Sequence, residues 1–330
     1  MVATPQTPVH SLLMPSSQLF RSLGKQHHAY KILSKTKMCL KAEFSVSQGD
    51  VSGDVALSYA TYPDQEHNVD PKKKPLIFLH GLFGAKGNLH SVSKYLADDG
   101  RKVITYDARN HGDSQHSAEM NFRCMTDDLI GLMQDLKLTD PVVMGHSMGG
   151  KTAMTLALEK PDKLSALIVL DVSPGKSPGV EELRKFAETM RQVKIPLGTS
   201  LPQARQLADA HLSPVVTNEG IRRFLLTNLR QFEGGEIRWR NNLDAFLENY
   251  SEIENFPVLV AKPFLKPTLF IFGENSAHYR ELDESKIRVF FPEAEISVLK
   301  DAGHFVHAEK PLELVKIVKQ FLQAVNGGSS

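Results

Sequence analysis

One pentapeptide carries the strongest chemical signal in the sequence. Gly145-His146-Ser147-Met148-Gly149 follows an apolar run that ends at Met144 and precedes a helical pattern. A serine at the centre of G-x-S-x-G, between a strand and a helix, is typical of a nucleophile elbow. In this turn the serine backbone is strained and its hydroxyl is pushed out above the sheet. Because the glycines have no Cβ, neighbouring chain can pass close by. The pattern therefore predicts Ser147 as a nucleophile.

Backbone N–H groups on two sides of this serine could hold a developing negative charge. The helix that begins at Met148 directs its free N–H groups and the positive end of its dipole at that charge. His80-Gly81-Leu82-Phe83-Gly84 ends an earlier strand, at a place where a loop normally supplies the second donor. We expect the N–H groups of Leu82 and Met148 to form an oxyanion hole, with Phe83 as the alternative to Leu82.

A histidine late in the chain is the predicted general base. His304 ends the segment Asp301-Ala302-Gly303-His304, directly after the last predicted strand, and it follows both the serine and the candidate acids in the chain. An imidazole with an unperturbed pKa of ~6.5 can accept and return a proton at neutral pH. His307 lies nearby, but His304 is preferred because Gly303 precedes it at the end of the strand.

The acid that should orient this histidine has three candidates. It usually follows a late strand as G-x-x-Asp, but here the segment reads Gly273-Glu274-Asn275-Ser276. Asp171 closes the preceding predicted strand and is the favoured acid, because a carboxylate there can lie beside the elbow and reach the second nitrogen of the histidine. Asp244, at the far end of a helical block, is the alternative acid, and Glu274 is the third candidate.

Strand-like and helix-like segments alternate along the chain and would position these residues. Strands are predicted at 55–61, 76–80, 102–106, 142–144, 166–170, 268–272 and 295–299, and helices at 88–98, 122–136, 151–159, 285–290 and 312–325. The alternation predicts a parallel sheet that is covered by helices on both faces. The block at about 175–257 has helical segments and no strong strand. It is predicted to be a helical insertion over the carboxyl edge of the sheet, where ligands bind in such folds.

Apolar side chains are frequent in this helical block. They allow two interpretations, packing against the sheet or an apolar roof over the serine that would suit an acyl chain. The residues concerned are Phe224, Leu225, Leu226, Phe232, Trp239, Phe246 and Leu247.

The charge is distributed unevenly. The 330 residues include 39 Lys+Arg and 38 Asp+Glu, but the first 42 residues contain six basic residues and no acidic one. Residues 43–330 are therefore acidic, which argues against a nucleic-acid binder. No apolar run approaches the ~20 residues that would span a bilayer. The two cysteines, Cys39 and Cys124, offer no cysteine-based metal site.

The first 42 residues have the composition of a targeting segment. They are rich in Ser, Thr, Pro, Lys and Gln, and they lack the apolar core of a secretory signal. We predict that residues 1–42 are a mitochondrial transit peptide, with a disordered leader as the alternative, and that residues 43–330 form the catalytic domain.

Taken together, the motifs resemble the α/β-hydrolase superfamily over residues 55–325, and within it a group of mitochondrial ester-lipid hydrolases and their bacterial esterase relatives. Besides the segments above, the resemblance rests on Asp107-Ala108-Arg109-Asn110-His111-Gly112, Asp171-Val172-Ser173-Pro174 and Arg238-Trp239-Arg240. It implies the α/β-hydrolase fold, with a mostly parallel sheet, helices on both faces and a helical cap inserted after the sixth strand of that fold.

The resemblance also implies a function. It implies a carboxylic ester hydrolase that acts on lipids or small acyl esters, diacylglycerol among them, through a Ser-His-Asp triad and an acyl-enzyme, without metal or cofactor. A matrix location and an association with the 2-oxoglutarate dehydrogenase complex are further implications. The alternative function is a scaffold of the same fold that binds and stabilises a mitochondrial enzyme complex.

Overall fold

An eight-stranded sheet forms the centre of the molecule. The computed structural model describes residues 45–46, 55–64, 68–257 and 262–327, so the predicted leader at 1–42 lies outside the described residues. The strands, in chain order, are β1 (Ser45–Val46), β2 (Ser58–Tyr62), β3 (Leu76–Leu79), β4 (Val103–Tyr106), β5 (Val142–His146), β6 (Ala166–Leu170), β7 (Leu229–Gln231), β8 (Ile237–Trp239), β9 (Thr268–Gly273) and β10 (Glu295–Leu299). The central sheet has the order β1-β2-β4-β3-β5-β6-β9-β10. Adjacent strands of this sheet run parallel, except that β2 is antiparallel to both β1 and β4. The predicted mostly parallel sheet is therefore confirmed.

Helices cover both faces of this sheet. They are α1 (His90–Ala97), α2 (Phe122–Asp135), α3 (Met148–Glu159), α4 (Val180–Gln192), α5 (Leu201–Leu212), α6 (Glu219–Leu226), α7 (Leu243–Glu248), α8 (Tyr250–Glu254), α9 (Ala277–Arg280), α10 (Glu284–Phe290), α11 (Val306–Glu309) and α12 (Pro311–Gly327). Successive side chains of a strand point to opposite faces. In β3, Ile77 and Leu79 join the core cluster that contains residues of α2 and α3, whereas Leu76 and Phe78 join the cluster that contains residues of α1 and α12.

The central strands are buried on both faces, which explains their continuous apolar sequences. All residues of β3, β5, β6 and β9 are buried. A parallel strand between two helical layers has no solvent-facing side, so it lacks polar alternation. Because of this pattern, the bounds predicted for these strands from the sequence agree with the observed bounds within one or two residues.

The block between β6 and β9 contains α4 to α8 and one hairpin. The prediction of helical segments with no strong strand misses β7 and β8, which pair antiparallel as a separate two-stranded sheet. The hairpin turns through Gly234 and Gly235, both at positive φ. Its strands are three residues long, and most of their side chains are polar or exposed, as Arg230 and Arg238 are, so no apolar alternation marks them.

None of the helices in the described ranges combines the length and the apolar character that crossing a membrane would require.

Candidate active site

Ser147 occupies the tight turn between β5 and α3. Its backbone has φ 52° and ψ −115°, a strained conformation for a residue other than glycine. A Cβ on Gly145 would lie 2.1 Å from the carbonyl oxygen of Gly149, and a Cβ on Gly149 would lie 2.6 Å from that of His80. The N–H of Ser147 donates to the carbonyl of Leu170 at 3.0 Å. The turn therefore has the strand–turn–helix geometry of the predicted elbow, and it requires both glycines.

Asp171 and His304 meet at the carboxyl ends of their strands. Oδ2 of Asp171 lies 2.7 Å from Nδ1 of His304, and both side chains are buried. A carboxylate only accepts hydrogen bonds, so Nδ1 carries the proton and Nε2 is left as an acceptor. His304 lines the same cavity as Ser147. The structure thus brings together the serine, the histidine and the favoured acid.

Ser276 stands at the position where the acid usually lies, and it forms a hydrogen bond with the favoured acid, Asp171. Its hydroxyl donates to Oδ2 of Asp171. The N–H of Gly273 donates to Oδ1 of Asp171 at 2.8 Å. No role for this serine is predicted from the sequence. The signal for such a role is a hydroxyl residue at the usual position of the acid, next to a strand that ends in a carboxylate.

The other two candidate acids do not reach His304. Asp244 lies in the first turn of α7 with its side chain 69% exposed, and its carboxylate pairs with Arg191 at 3.2 Å. A carboxylate in the first turn of a helix interacts favourably with the helix dipole, which accounts for its position. Oε2 of Glu274 accepts the N–H of Asp301 at 2.9 Å and so closes the turn before the histidine.

The predicted oxyanion donors lie beside the serine. Leu82 and Met148 line the cavity together with Ser147. Met148 is the first residue of α3, so its N–H has no partner within the helix. In the described part of the chain, neither the N–H of Leu82 nor that of Met148 forms a hydrogen bond, whereas the N–H of Phe83 donates to Nε2 of His111 at 3.2 Å. This difference favours Leu82 over Phe83.

Three further histidines surround His304. The rings of His146 and His278 lie 4.6 and 4.8 Å from the His304 ring. Burial, followed by the neighbouring histidines, lowers the pKa of His146 and of His278 well below the ordinary value, and lowers the pKa of His307 to about 3. These rings are therefore neutral at physiological pH. Nε2 of His146 donates to the carbonyl of His304 at 2.8 Å, which fixes the backbone of the predicted base.

One group of side chains has the composition of a metal site. Ligand atoms of Asp171, His278 and His304 lie within 4.8 Å of one another. However, the two imidazole rings are stacked at 15°, so their lone pairs do not converge on one point. The carboxylate already accepts hydrogen bonds from Gly273, Ser276 and His304. The arrangement is that of a hydrogen-bonded acid–base pair with a ring stacked against it.

The cavity above Ser147 is mostly apolar. Its walls include side chains from α4, α6 and α8, namely Val180, Leu183, Ile221, Phe224, Leu225 and Ile253. Phe224 and Leu225 therefore fit the apolar roof suggested by the sequence. Phe246 instead packs edge-on against Phe83, with ring centroids 5.4 Å apart. The buried residue Lys151 also lines the cavity, and the sequence pattern does not mark it as a site residue.

Comparisons with known proteins agree with this geometry. A family model described as the alpha/beta hydrolase fold matches residues 74–311. The sn-1-specific diacylglycerol lipase ABHD11 of Mus musculus is 46% identical over 249 residues, which cover 75% of this chain and 80% of that protein. Esterase YbfF of Escherichia coli is 32% identical over 257 residues, which cover 78% of this chain and 94% of the esterase.

A solved structure is also similar. The structure of a marine microorganism esterase matches with a TM-score of 0.73 at 32% identity, and the match covers 80% of this chain and 98% of the esterase. The fold and the family resemblance predicted from the sequence are confirmed. The chain belongs to the alpha/beta hydrolase fold family.

Proposed function

We propose that the protein is a serine hydrolase of carboxylic esters that works through an acyl-enzyme. The observation that carries the proposal is the buried Asp171–His304 hydrogen bond, which lies at the strand ends beside the strained Ser147 elbow. The relatives reported above are named a diacylglycerol lipase and two esterases, which supports the prediction of a carboxylic ester hydrolase.

The geometry supports a definite sequence of steps. Asp171 holds the Nδ1–H of His304, so Nε2 can take the proton of Ser147 as its oxygen attacks the ester carbonyl. The N–H groups of Leu82 and Met148 stabilise the oxyanion. His304 then protonates the leaving alcohol. The same imidazole next activates a water molecule, which cleaves the acyl-enzyme and restores the free serine.

The walls of the cavity support a lipid substrate. Because the cap side chains above Ser147 are apolar, they favour an acyl chain over a polar group at this place. We propose a lipid acyl ester, with diacylglycerol as the first compound to test, since a similar protein is named for that activity.

Removal of the serine hydroxyl tests the proposal. Ser147→Ala should lower kcat for a 4-nitrophenyl acyl ester on the order of 10⁶-fold, because the nucleophile is lost. Ser177 lines the same cavity and provides a matched control, so Ser177→Ala should retain activity. Comparable activity in Ser147→Ala and wild type would contradict the proposal.

We further propose, from composition alone, that residues 1–42 direct the protein to the mitochondrion. A fluorescent fusion with and without these residues tests this, and mitochondrial signal in both would contradict it. The association with the 2-oxoglutarate dehydrogenase complex stays a prediction, as does the scaffold function. If Ser147→Ala restored the phenotype of a deletion as fully as wild type, the scaffold function would be favoured over the esterase.

A further inference from the structure

Lys151 is a buried lysine in the wall of the catalytic cavity. Its side chain is 1% exposed, and it lies one turn into α3, where its backbone N–H donates to the carbonyl of Ser147 at 3.0 Å. Nζ donates to the backbone carbonyl of Glu254 at 3.1 Å and lies 5.6 Å from the centre of the Phe122 ring. Within the described ranges, these are its polar and ring partners, and no carboxylate forms an ion pair with it.

This environment leaves the ammonium under-satisfied. An ammonium group has three N–H donors, and the single hydrogen bond that Nζ donates leaves two of them without a partner among the described residues. A buried charge is costly unless it is paired. Burial accordingly lowers the pKa of Lys151 to about 7, and the attraction of Glu254 only partly offsets that shift. A lysine that served only to fill space could be replaced by an apolar residue at lower cost.

The carboxylate that attracts Lys151, that of Glu254, already has other partners. The carboxylate of Glu254, on α8, is held by Lys176 at 2.7 Å and by the hydroxyl of Tyr250. His278, on α9, is neutral because burial lowers its pKa well below the ordinary value. The other neighbouring element, α2, presents the aromatic ring of Phe122. An anion that enters the cavity would therefore find an available cation.

We propose that Lys151 is an anion subsite of the cavity, which receives a carboxylate that the ester substrate carries away from its scissile bond. The inference rests on the proposed function, because Ser147 must be the reacting residue. The matching chemistry is an amphiphilic ester, whose apolar chain contacts the cap residues and whose carboxylate accepts hydrogen bonds from Nζ. Half-esters of dicarboxylic acids belong to this class.

The subsite has a defined pH dependence. Below the pKa of Lys151 the ammonium attracts an anionic ester. Above it the neutral amine leaves the wall uncharged, so a neutral acyl chain is accepted equally well. The preference for the anionic ester should decline as the pH rises through about 7. Any effect of pH on the chemical step itself is common to both esters, so it cancels in the ratio of their kcat/KM values.

The experiment compares 4-nitrophenyl hydrogen adipate with 4-nitrophenyl hexanoate on the full chain. We expect the ratio of kcat/KM values, anionic over neutral, to fall roughly tenfold between about pH 6 and pH 8.5, the range in which the lysine loses its proton. Lys151→Met should lower the ratio at acid pH by roughly 10- to 100-fold, the loss expected for a hydrogen bond between charged groups. Lys151→Arg should retain the preference across this pH range, because the guanidinium stays charged.

A matched control removes a neighbouring charge outside the cavity. Lys185 is an exposed lysine on α4, a helix that also contributes to the cavity wall, so Lys185→Met should leave the ratio and its pH dependence in place. A ratio that is unchanged in Lys151→Met, or that falls equally in Lys185→Met, would overturn the subsite. Thermal melting checks that Lys151→Met folds, and the pH dependence of the wild type remains decisive if it does not.

The outcomes separate this inference from the proposed function. If wild type hydrolyses neither ester, the proposed function fails. If it hydrolyses the neutral ester in a Ser147-dependent way but shows no preference for the anionic one at acid pH, the proposed function stands and the subsite is overturned.

Discussion

At the scale of single residues, the site depends on how three donors hold one carboxylate. Gly273, Ser276 and His304 all donate to Asp171, which is fully buried at the end of β6. A carboxylate accepting several hydrogen bonds has little freedom to rotate, so it fixes both the orientation and the tautomer of the imidazole.

Exchange of this carboxylate for an amide tests that role. Asp171→Asn should lower kcat for a 4-nitrophenyl ester by about 10⁴-fold, because the amide no longer selects the required tautomer of His304. The matched control is Asp244→Asn, which changes an exposed acid on α7 and should alter kcat by less than about twofold. A larger loss in Asp244→Asn than in Asp171→Asn, with both variants folded, would reverse the assignment of the acid.

The residues of the site differ in how far the sequence could reveal them. Ser147 and His304 stand directly at predicted strand ends in recognisable segments, and Asp171 closes a fully apolar run. In the structure His304 bonds to Asp171, and Ser147 and His304 line one cavity. His278 and Lys151 do not stand in recognisable segments. His278 stacks on His304 and Lys151 is buried against Phe122 only because segments distant in the sequence pack together.

At the scale of elements, a buried ion pair anchors the loop that carries the predicted oxyanion donor. Nζ of Lys86 lies 2.6 Å from Oδ2 of Asp107, and both side chains are buried. The N–H of Lys86 also donates to Oδ1 of Asp107. This carboxylate follows β4, so it ties the segment after β3 to the neighbouring strand end. A Cβ on Gly112, at φ 56°, would lie 2.2 Å from the same carboxylate.

Removal of the carboxylate should therefore destabilise the fold. Asp107→Ala should lower the free energy of unfolding by about 3–5 kcal/mol, because the ammonium of Lys86 loses its closest buried partner. Urea denaturation of the full chain measures this. The control is Asp98→Ala, which removes an exposed partner of Lys319 and should cost at most about 1 kcal/mol. Equal costs for the two substitutions would contradict an anchoring role.

Elements with a strong apolar pattern were predictable, and weakly patterned ones were not. The prediction for β6 at 166–170 and for β10 at 295–299 matches the observed bounds. The hairpin of β7 and β8 escaped prediction, because its three-residue strands are largely polar and its turn is set by the positive φ of Gly234 and Gly235.

At the scale of the whole molecule, the sheet gathers residues that are far apart in sequence. Ser147, Asp171 and His304 follow β5, β6 and β10, and they lie at one edge because the carboxyl ends of parallel strands share that edge. The cap between β6 and β9 then forms an apolar wall of the cavity that Ser147 and His304 line. The buried histidines around this edge make the stability of the whole fold sensitive to pH.

The stability should fall on acidification below about pH 6.5. His111 and His307 have pKa values lowered to about 3, mainly by burial. Between about pH 6.5 and 3 the unfolded chain binds protons that the folded state excludes, so each histidine lowers the free energy of unfolding by about 1.4 kcal/mol per pH unit. Above pH 6.5 both states are neutral at these positions, and this effect vanishes.

Urea denaturation at a series of pH values checks this dependence. His307→Gln should reduce the slope of the free energy of unfolding against pH by the contribution of one histidine. The exposed His211 is the control, and His211→Gln should leave this slope unchanged. A slope that is the same in wild type and His307→Gln would contradict the contribution of the buried ring.

The central claim is that Ser147 is the nucleophile of this fold, and active-site labelling tests it most directly. The full chain is treated with a fluorophosphonate, and the modified peptide is located by mass spectrometry. We predict one phosphonylated residue, Ser147, and no labelling of the Ser147→Ala variant. Labelling of Ser147→Ala to the wild-type level, or no labelling of correctly folded wild type, would contradict it.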